Sequence, residues 1–384
     1  MVRKKILIVA MLDSIHTARW LKQFKNDNFE FVLFPSTPHR RIHPEITKLI
    51  TASSNSAFTI VRTMKYLSLP LCILDLIFNN RIRGYILRKV VDNSSTPFSI
   101  VHAHEIQHAG YLAFEAISRS KQKPQLILSI WGSDIFWFKQ FASHRRKIFQ
   151  VLSMTDQLIC ECVRDIESVK QLGYRGKNPA IMSASGGFDF ENLLQTTEKI
   201  RPSERNLILV KGYMGFVGRA DLALRALGNI ALEIQNQPII VYSSDFRSRR
   251  IARHLITQHG LNITCYKKRQ LSHEKMLSLF SDARIHIGMS ESDGLPGSLR
   301  ESMVCGCFPI QTDTSCAEEW ITDGKSGYIV SLNDEKALEF AILQALRNDD
   351  LVDSAAKLNL DAARQRLDGS LSAEAAGTIY KLDI

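Results

Sequence analysis

Residues 209–227, LVKGYMGFVGRADLALRAL, contain the pattern that is most informative about the fold. An apolar strand ends at Lys211, a loop with three glycines follows, and apolar residues at helical spacing begin after Arg219. Strand, glycine loop and helix in this order are typical of a doubly wound α/β domain. Glycines let a backbone approach a ligand and the two basic side chains add positive charge, so the loop predicts a diphosphate site. Three glycines in a turn also occur in purely structural loops, and the spacing matches neither a Walker loop nor G-x-G-x-x-G, which argues against an ATPase or a dehydrogenase.

The same alternation of apolar runs and helical segments extends along the chain in both directions. The runs predicted as strands are KILIVAML, FEFVLFPS, FSIVHAH, QLILSIWG, DQLICEC and PAIMSAS in the first half, and NLILVKG, QPIIVYSS, ARIHIGMS, CFPIQTD and SGYIVSL in the second. Continuous apolar strands separated by helices predict parallel sheets covered on both faces. We therefore expect an α/β fold of two Rossmann-like, doubly wound domains whose parallel sheets face each other across a cleft. The charged, proline-containing segment 198–206, EKIRPSERN, predicts their boundary.

The composition is that of a globular protein, with 384 residues, 45% hydrophobic and 23% charged. The first apolar run ends at Asp13 without a small-residue cleavage site, so we expect a buried strand there rather than a secretory signal. The seven cysteines lack the spacing of a metal knuckle, which predicts reduced, buried thiols. The apolar stretch 66–78, YLSLPLCILDLIF, is interrupted by Pro70 and Asp75 and is too short to cross a bilayer.

The net charge of +10 is concentrated in the first half of the chain. Residues 1–200 hold 27 Lys and Arg against 16 Asp and Glu, whereas the remainder holds 22 against 23. Basic residues cluster at 38–48, 79–91 and 143–149. This distribution predicts an anionic partner such as a membrane surface or a phosphorylated substrate, with an ordinary solvated face as the alternative. No ordered alternation of basic and aromatic residues supports nucleic-acid binding.

A second informative stretch, ESDGLPGSLRESMVCG at 291–306, follows a predicted strand. Pro296 suits a first helical turn, which places Glu301 about one turn into the helix and leaves Asp293 in the loop. Two carboxylates held in this way accept hydrogen bonds from hydroxyls at two places on one ligand, and free N–H groups at the helix start suit a phosphate between them. The alternative is that both acids only complement the helix dipole.

The longer segment SESDGLPGSLRESMVCGCFPIQTDTSCAEEWITDGKSGYIV resembles the donor-binding segment of glycosyltransferase family 4, which has the GT-B fold. The family's acid-x7-acid pattern corresponds to Asp293 and Glu301, with Asp where the family usually has Glu; Glu291 has the wrong spacing. The resemblance implies that Glu301 binds the nucleotide ribose and that Asp293 holds donor-sugar hydroxyls. Lys211 and Arg219 correspond to the family's basic pair in swapped order and are expected on the diphosphate. The donor-binding residues implied are Lys211, Gly212, Arg219, Asp293, Gly294, Leu295, Pro296, Ser298 and Glu301.

In the first half, VHAHEIQHAGYLAF and LSIWGSDIF are similar to paired segments of the same family. Many members have His-Gly in the second segment, whereas Trp131 precedes Gly132 here. His104 is expected to take the vacant role near the reacting sugar, which makes His104 and Asp293 the predicted catalytic residues. A strand-end histidine that only satisfies a local hydrogen bond is the alternative. The residues expected on the acceptor side are Ser14, His16, Glu105, His108, Trp131 and Asp134.

The resemblance implies a retaining glycosyltransferase, of the hexosyltransferase type, that uses a nucleotide-diphosphate sugar such as a UDP-sugar. The WGSD segment resembles members that assemble bacterial surface polysaccharide such as lipopolysaccharide O-antigen. It therefore implies a polyprenyl-diphosphate-linked glycan acceptor and a cytoplasmic protein peripherally bound to the inner face of the cytoplasmic membrane. No Asp-x-Asp occurs, so we expect neither metal nor cofactor. A nucleotide-sugar-binding protein without turnover and a sugar-nucleotide epimerase or hydrolase are the alternatives.

Three segments are expected from these patterns. Residues 1–199 form a basic amino-terminal domain on the acceptor side, and residues 200–368 form a carboxyl-terminal domain on the donor side. Residues 369–384 form a helix that packs back on the amino-terminal domain.

Overall fold

The computed structural model describes residues 3–24, 29–37, 42–52, 57–78, 81–184, 186–191, 193 and 200–381. The chain forms two compact units, Met1–Gly187 with Gly369–Ile384, and Phe188–Asp368. The predicted boundary at 198–206 lies partly outside the described residues. Phe188 belongs with the second unit because its N–H donates to the Leu367 carbonyl at 2.7 Å.

The first unit is built on a seven-stranded parallel sheet with the order β3-β2-β1-β4-β5-β6-β7. Its strands are β1 (Lys4–Ala10), β2 (Phe29–Pro35), β3 (Phe58–Ile60), β4 (Ile100–His104), β5 (Gln125–Ser129), β6 (Gln157–Cys160) and β7 (Ala180–Ile181). The order reverses at β1 and β4, as it does in doubly wound sheets. The short strand β3 is not among the sequence-predicted strands.

Helices cover both faces of this sheet. They are α1 (Ile15–Lys22), α2 (Pro44–Ala52), α3 (Arg62–Phe78), α4 (Arg81–Asp92), α5 (Tyr111–Ile117), α6 (Ser133–Phe136), α7 (Ala142–Met154) and α8 (Val163–Gln171), with a π-helical turn at Ile106–Gly110. Alternate side chains of β1 enter different cores: Leu7 and Val9 pack in one, and Ile6 and Ile8 pack in the other. Burial on both faces explains why the strands are continuous apolar runs.

The second unit has a six-stranded parallel sheet with the order β10-β9-β8-β11-β12-β13. Its strands are β8 (Leu207–Lys211), β9 (Ile239–Ser244), β10 (Ile263–Lys267), β11 (Ala283–Gly288), β12 (Phe308–Thr312) and β13 (Tyr328–Val330). Its helices are α9 (Ala220–Asn229), α10 (Phe246–His259), α11 (His273–Asp282), α12 (Gly297–Cys305), α13 (Glu335–Arg347) and α14 (Asp349–Leu367). The two predicted parallel α/β domains are therefore present.

The last helix, α15 (Gly369–Lys381), packs in the first unit. Its Tyr380 is completely buried among aromatic side chains of that unit. The Tyr380 hydroxyl accepts a hydrogen bond from Trp20 Nε1 at 2.9 Å and lies 2.6 Å from His102 Nδ1. These contacts attach the carboxyl-terminal end of the chain to α1 and β4.

The sequence also predicts that the apolar stretch 66–78 does not cross a bilayer and that the cysteines are reduced and buried. None of the helices in the described part of the chain is both long enough and apolar enough to cross a bilayer. The seven cysteines are free thiols, and all are buried except Cys265, which is partly buried.

Candidate functional site

The carboxyl ends of β8 and β11 meet where the strand order of the second unit reverses. Ligands of doubly wound sheets bind beyond the strands at this point. The loops that follow the two strands are hydrogen-bonded to each other. The Arg219 N–H donates to the Met289 carbonyl at 3.0 Å, and the Glu291 N–H donates to the Val217 carbonyl at 2.7 Å. The glycine loop and the acidic loop predicted from sequence therefore form one structure.

Gly218 and Gly212 are required by the packing of this structure. A Cβ on Gly218 would overlap the carbonyl group and ring of Tyr213, and a Cβ on Gly212 would lie 2.5 Å from Val241 Cγ1. Gly218 also pairs with Ser290 in an isolated antiparallel bridge. Packing within the protein is therefore enough to explain why glycine occupies these two positions, and a bound ligand is not needed to explain them.

Each of the two predicted cations faces an acid. Lys211 Nζ lies 3.5 Å from Asp293 Oδ2. Arg219 donates from Nε and Nη2 to the two Asp221 carboxylate oxygens, both at 3.0 Å, and from Nη1 to Glu291 Oε1 at 3.0 Å. The Asp221 hydrogen bonds raise the pKa of Arg219 above its ordinary value, so the guanidinium group stays charged. Any anionic ligand at this site must therefore share these cations with protein carboxylates.

The two predicted carboxylates lie on different elements and have different partners. Asp293, in the loop, also accepts a hydrogen bond from the Gly294 N–H at 3.0 Å. Glu301, in the middle of α12, has Oε1 3.6 Å from Nδ1 of His273 at the start of α11. The helix begins one residue after Pro296, so this proline precedes the first turn instead of lying within it.

The remaining predicted residues of the acidic loop are mostly packed inside the unit. Leu295 and Ser298 are buried, with 3% and 7% of their surface exposed. The Gly294 carbonyl accepts a hydrogen bond from the Cys316 N–H at 2.9 Å. These three residues fix the loop between β11 and α12.

A cavity of about 270 Å³ opens at the meeting point of the loops. It is lined by Lys211, Tyr213, Val217, Gly218, Ser243, Lys268, Met289, Ser290 and Asp293. Of the donor-binding residues predicted from sequence, Lys211 and Asp293 line it.

Two lining residues, Ser243 and Lys268, belong to segments that the sequence reasoning did not connect with the site. Ser243 lies in β9, a predicted strand, so the rule that ligands bind at the carboxyl ends of strands could have identified it. Lys268 follows β10, which was not predicted as a strand. This strand lies at the sheet edge and is partly exposed, so it lacks the continuous apolar pattern of the inner strands.

In the first unit the equivalent point lies at the carboxyl ends of β1 and β4. Ser14 caps α1 by accepting a hydrogen bond from the His16 N–H at 3.2 Å. The His16 ring lies 5.4 Å from the Trp131 ring, centroid to centroid. The structure thus brings together two residues predicted for the acceptor side from loops after different strands.

Glu105 and Asp134 are buried carboxyl groups in the same region. Glu105, with φ of 72°, accepts hydrogen bonds from the N–H groups of His108 and Ala109 at 2.9 and 2.7 Å, whereas the His108 side chain is exposed. Asp134 accepts from the Trp131 N–H at 3.0 Å. Burial raises the pKa of Glu105, and burial together with the charge of Glu105 raises the pKa of Asp134 well above its ordinary range. Burial thus disfavours the charged form of both groups compared with an exposed carboxyl group.

His104, the predicted catalytic histidine, is completely buried at the end of β4. Its ring lies 4.4 Å from the His102 ring and 5.4 Å from the Trp20 ring. Among the described residues, neither ring nitrogen has a hydrogen-bond partner. Burial lowers the pKa of His104 to about 3, so the ring is neutral at ordinary pH. In this arrangement the imidazole has no exposed edge with which to contact a substrate.

Two family descriptions match separate parts of the chain. Residues 195–363 match "Glycosyl transferases group 1", and residues 88–161 match "Glycosyl transferase 4-like". A search of the curated proteins found no match. The first match contains the cavity and both loops of the second unit, and the second contains His104 and Trp131.

Solved structures of similar fold cover nearly the whole chain. HepE of Anabaena in complex with UDP-glucose has 13% sequence identity and a TM-score of 0.69, covering 98% of this chain and 100% of that one. Sucrose-phosphate synthase from Thermosynechococcus elongatus has 13% identity and a TM-score of 0.71, covering 99% and 98%. A glycosyltransferase from Rickettsia africae has 13% identity and a TM-score of 0.66, covering 99% and 98%. At this identity the likeness shows the fold, which is GT-B; with the family matches, it supports a glycosyltransferase.

Proposed function

We propose that this protein transfers a sugar from a UDP-sugar to a lipid-linked or polysaccharide-precursor glycan, with retention of anomeric configuration and without a metal ion. The proposal rests on the cavity at the strand reversal of the second unit, which combines two lysines, the Asp293 carboxylate and part of the tight glycine loop. The UDP-glucose complex of HepE, which has a similar fold, supports the choice of donor.

In this proposal the donor lies across the two joined loops. Lys211 and Arg219 bind the diphosphate, Glu301 accepts hydrogen bonds from the ribose hydroxyls, and Asp293 accepts them from the donor sugar. Because Lys211 already lies 3.5 Å from Asp293, the diphosphate shares this lysine with the carboxylate that holds the sugar. The ion pair between Lys211 and Asp293 thereby connects the diphosphate, which leaves, with the sugar, which is transferred.

The chemical step breaks the bond between the anomeric carbon and the diphosphate oxygen. Negative charge develops on that oxygen, and fixed cations stabilise it more in the transition state than in the bound donor. The acceptor hydroxyl attacks the anomeric carbon from the face that the diphosphate leaves, which retains the configuration. The proton of the acceptor hydroxyl passes to the departing diphosphate, so atoms and charge balance without a protein nucleophile.

The test is a panel of nucleotide sugars assayed in EDTA, with and without a membrane-extracted lipid acceptor. We expect nucleotide release coupled to a glycolipid product for one donor. Glu301→Gln should lose this activity with unchanged thermal unfolding, while Glu233→Gln, at an exposed position of the same unit, should retain it. Release without acceptor, with free sugar as product, would indicate a hydrolase instead. Donor binding without release under any condition would indicate a binding protein.

The proposal also places the first unit at an anionic membrane surface, where a lipid-linked acceptor is found. Helix α3 exposes the apolar side chains Leu67, Leu69, Ile73, Leu74, Ile77 and Phe78. The buried ion pair between Arg83 Nε and Asp75 Oδ2, at 2.6 Å, joins α3 to α4, which exposes Arg81 and Lys89. Apolar side chains beside cations are the combination that binds anionic bilayers.

Vesicle sedimentation tests this placement. We expect binding to vesicles with anionic lipid and weaker binding to zwitterionic ones. The double variant Ile77→Ser and Phe78→Ser should reduce binding to anionic vesicles, whereas Leu232→Ser, at an 84% exposed leucine of the second unit, should not. If both variants bind anionic vesicles equally well, the exposed surface of α3 is not the membrane contact.

A further inference from the structure

The cavity of the second unit contains a cation that none of the sequence motifs includes. Two lysines, Lys211 and Lys268, and one acid, Asp293, line it. Lys211 lies 3.5 Å from Asp293 and is largely compensated by it. In the part of the chain that the structure describes, Lys268 has no ion-pair partner, so the cavity carries one uncompensated positive charge. Lys268 is exposed, so water screens its charge, but an anion placed there interacts with it without displacing a protein carboxylate.

The backbone just before Lys268, at the end of β10, is irregular. The register between β9 and β10 shifts between Cys265 and Lys267, which is the pattern of a β-bulge. Bulges re-aim the side chains that follow them and occur next to binding sites. Ser243, across this pair of strands, has a φ of 51°, a conformation unusual for a residue other than glycine.

Hydrogen bonds hold this irregular segment in place. Ser244 Oγ donates to the Tyr266 carbonyl at 2.8 Å and joins the end of β9 to the end of β10. Gln270 closes the turn from its other side, because its Oε1 accepts from the Lys267 N–H at 2.7 Å while its own N–H donates to the Lys267 carbonyl at 3.1 Å. Lys268 therefore projects from a closed turn that is anchored on both sides.

We infer that Lys268 binds the phosphate groups of the donor nucleotide and forms, with Lys211, a two-lysine clamp across the cavity. This inference rests on the proposed function and adds to it a binding residue outside the glycine and acidic loops. Lysine acts on phosphate as a point charge, so the contact is sensitive to charge and salt and not to the nucleobase.

The test measures the binding of UDP, UMP and uridine, with ADP and GDP for alternative bases, by calorimetry at low and high salt. Lys268→Ala should weaken binding of the preferred nucleoside diphosphate by about tenfold to a hundredfold, the range for hydrogen bonds to charged groups. It should leave uridine binding unchanged and reduce the salt dependence of diphosphate binding. Lys267→Ala is the matched control, since Lys267 is the neighbouring lysine and is exposed like Lys268, but does not line the cavity.

The outcomes separate this inference from the function on which it rests. If the wild type binds a nucleoside diphosphate and Lys268→Ala binds it equally well, the clamp is wrong and the donor site stands. If Lys268→Ala weakens uridine as much as UDP, the lysine contacts the nucleoside and the phosphate assignment is overturned. If the wild type binds none of the diphosphates, the proposed donor and the clamp are both overturned. Thermal unfolding of each variant without ligand verifies that the fold is retained.

Discussion

The two sheets reverse their strand order in the same way, but the polar groups at the two reversals have opposite electrostatic surroundings. At β8 and β11, Arg219 pairs with Asp221 and Glu291 and remains partly exposed. At β1 and β4, His102 and His104 are completely buried, and burial lowers the pKa of both. The topology determines where a ligand can bind, whereas burial determines whether the groups there are charged.

Because of this difference, the two regions are suited to different roles. Charged, partly exposed groups exchange their carboxylate partners for a phosphate at modest cost, because water already screens them. Neutral, buried groups cannot take up charge without a large desolvation penalty, so they hold structure and offer only hydrogen bonds. Substitutions in the second unit should therefore affect catalysis, and substitutions in the buried network of the first unit should affect stability.

The largest effect is expected at Arg219. Arg219→Met removes the cation that stabilises the departing diphosphate in the proposed mechanism, so kcat should fall by about 10²–10³-fold, the range for losing one such group. Steady-state kinetics with the preferred donor measures it, and thermal unfolding should change little. Arg225→Met is the control, because Arg225 also pairs with Asp221 but points to Glu335 on α13. An equal loss in both variants would show that Asp221, not the diphosphate, is the relevant partner.

Tyr380 belongs to the buried hydrogen bonds of the first unit, so Tyr380→Phe should reduce stability and affect catalysis little. Loss of the hydroxyl leaves Trp20 Nε1 and His102 Nδ1 without their partner, and each buried group left unpaired costs about 1–3 kcal/mol. We expect the free energy of unfolding of the first unit to fall by roughly 2–6 kcal/mol in urea titrations. Tyr85→Phe, at a half-exposed tyrosine of the same unit, should leave it unchanged. A wild-type-like Tyr380→Phe would mean that water replaces the hydroxyl.

The pH dependence of stability distinguishes a buried histidine from an exposed one. The pKa of His104 is about 3 in the folded state and near 6.5 in the unfolded chain. Only the unfolded chain takes up a proton as the pH falls below 6.5, so the stability contributed by the neutral ring is lost with acid. Between pH 7 and 5 this amounts to about 2 kcal/mol.

His104→Leu should remove this part of the acid slope, whatever its effect on stability at pH 7. The measurement is urea unfolding at several pH values between 5 and 7. His259→Leu, at an exposed histidine, should keep the wild-type slope. An unchanged slope in His104→Leu would mean that the ring is accessible to protons in the folded state.

The smallest effect is expected at Glu291, which in the proposed site would compete with the diphosphate for Arg219. Glu291→Gln removes a partly exposed ion pair at 3.0 Å, worth about 0.2–1 kcal/mol. The Kd for UDP should therefore fall by at most about fivefold, while Glu318→Gln, at an exposed acid, leaves it unchanged. Weaker binding in Glu291→Gln would show that Glu291 positions Arg219 instead of competing for it.

The elements predicted best from sequence are those with a strong local pattern. The inner strands are continuous apolar runs because helices cover both faces of each sheet, and the glycine loop was recognised from spacing alone. The strand β10 was missed because an edge strand with exposed positions carries a weaker pattern. With it, Lys268 was missed as a residue of the cavity.

The fold class, the parallel sheets, and the two loops that meet at β8 and β11 could be predicted from the sequence, since they follow from local periodicity and from glycine and proline positions. Which polar residues form ion pairs and which are buried depends on the tertiary structure. Glu291, whose spacing to Glu301 does not fit the acid-x7-acid pattern, forms an ion pair with Arg219. His104, expected near the reacting sugar, is enclosed by His102 and Trp20. Ion pairing and burial arise between segments distant in the chain, so no local pattern records them.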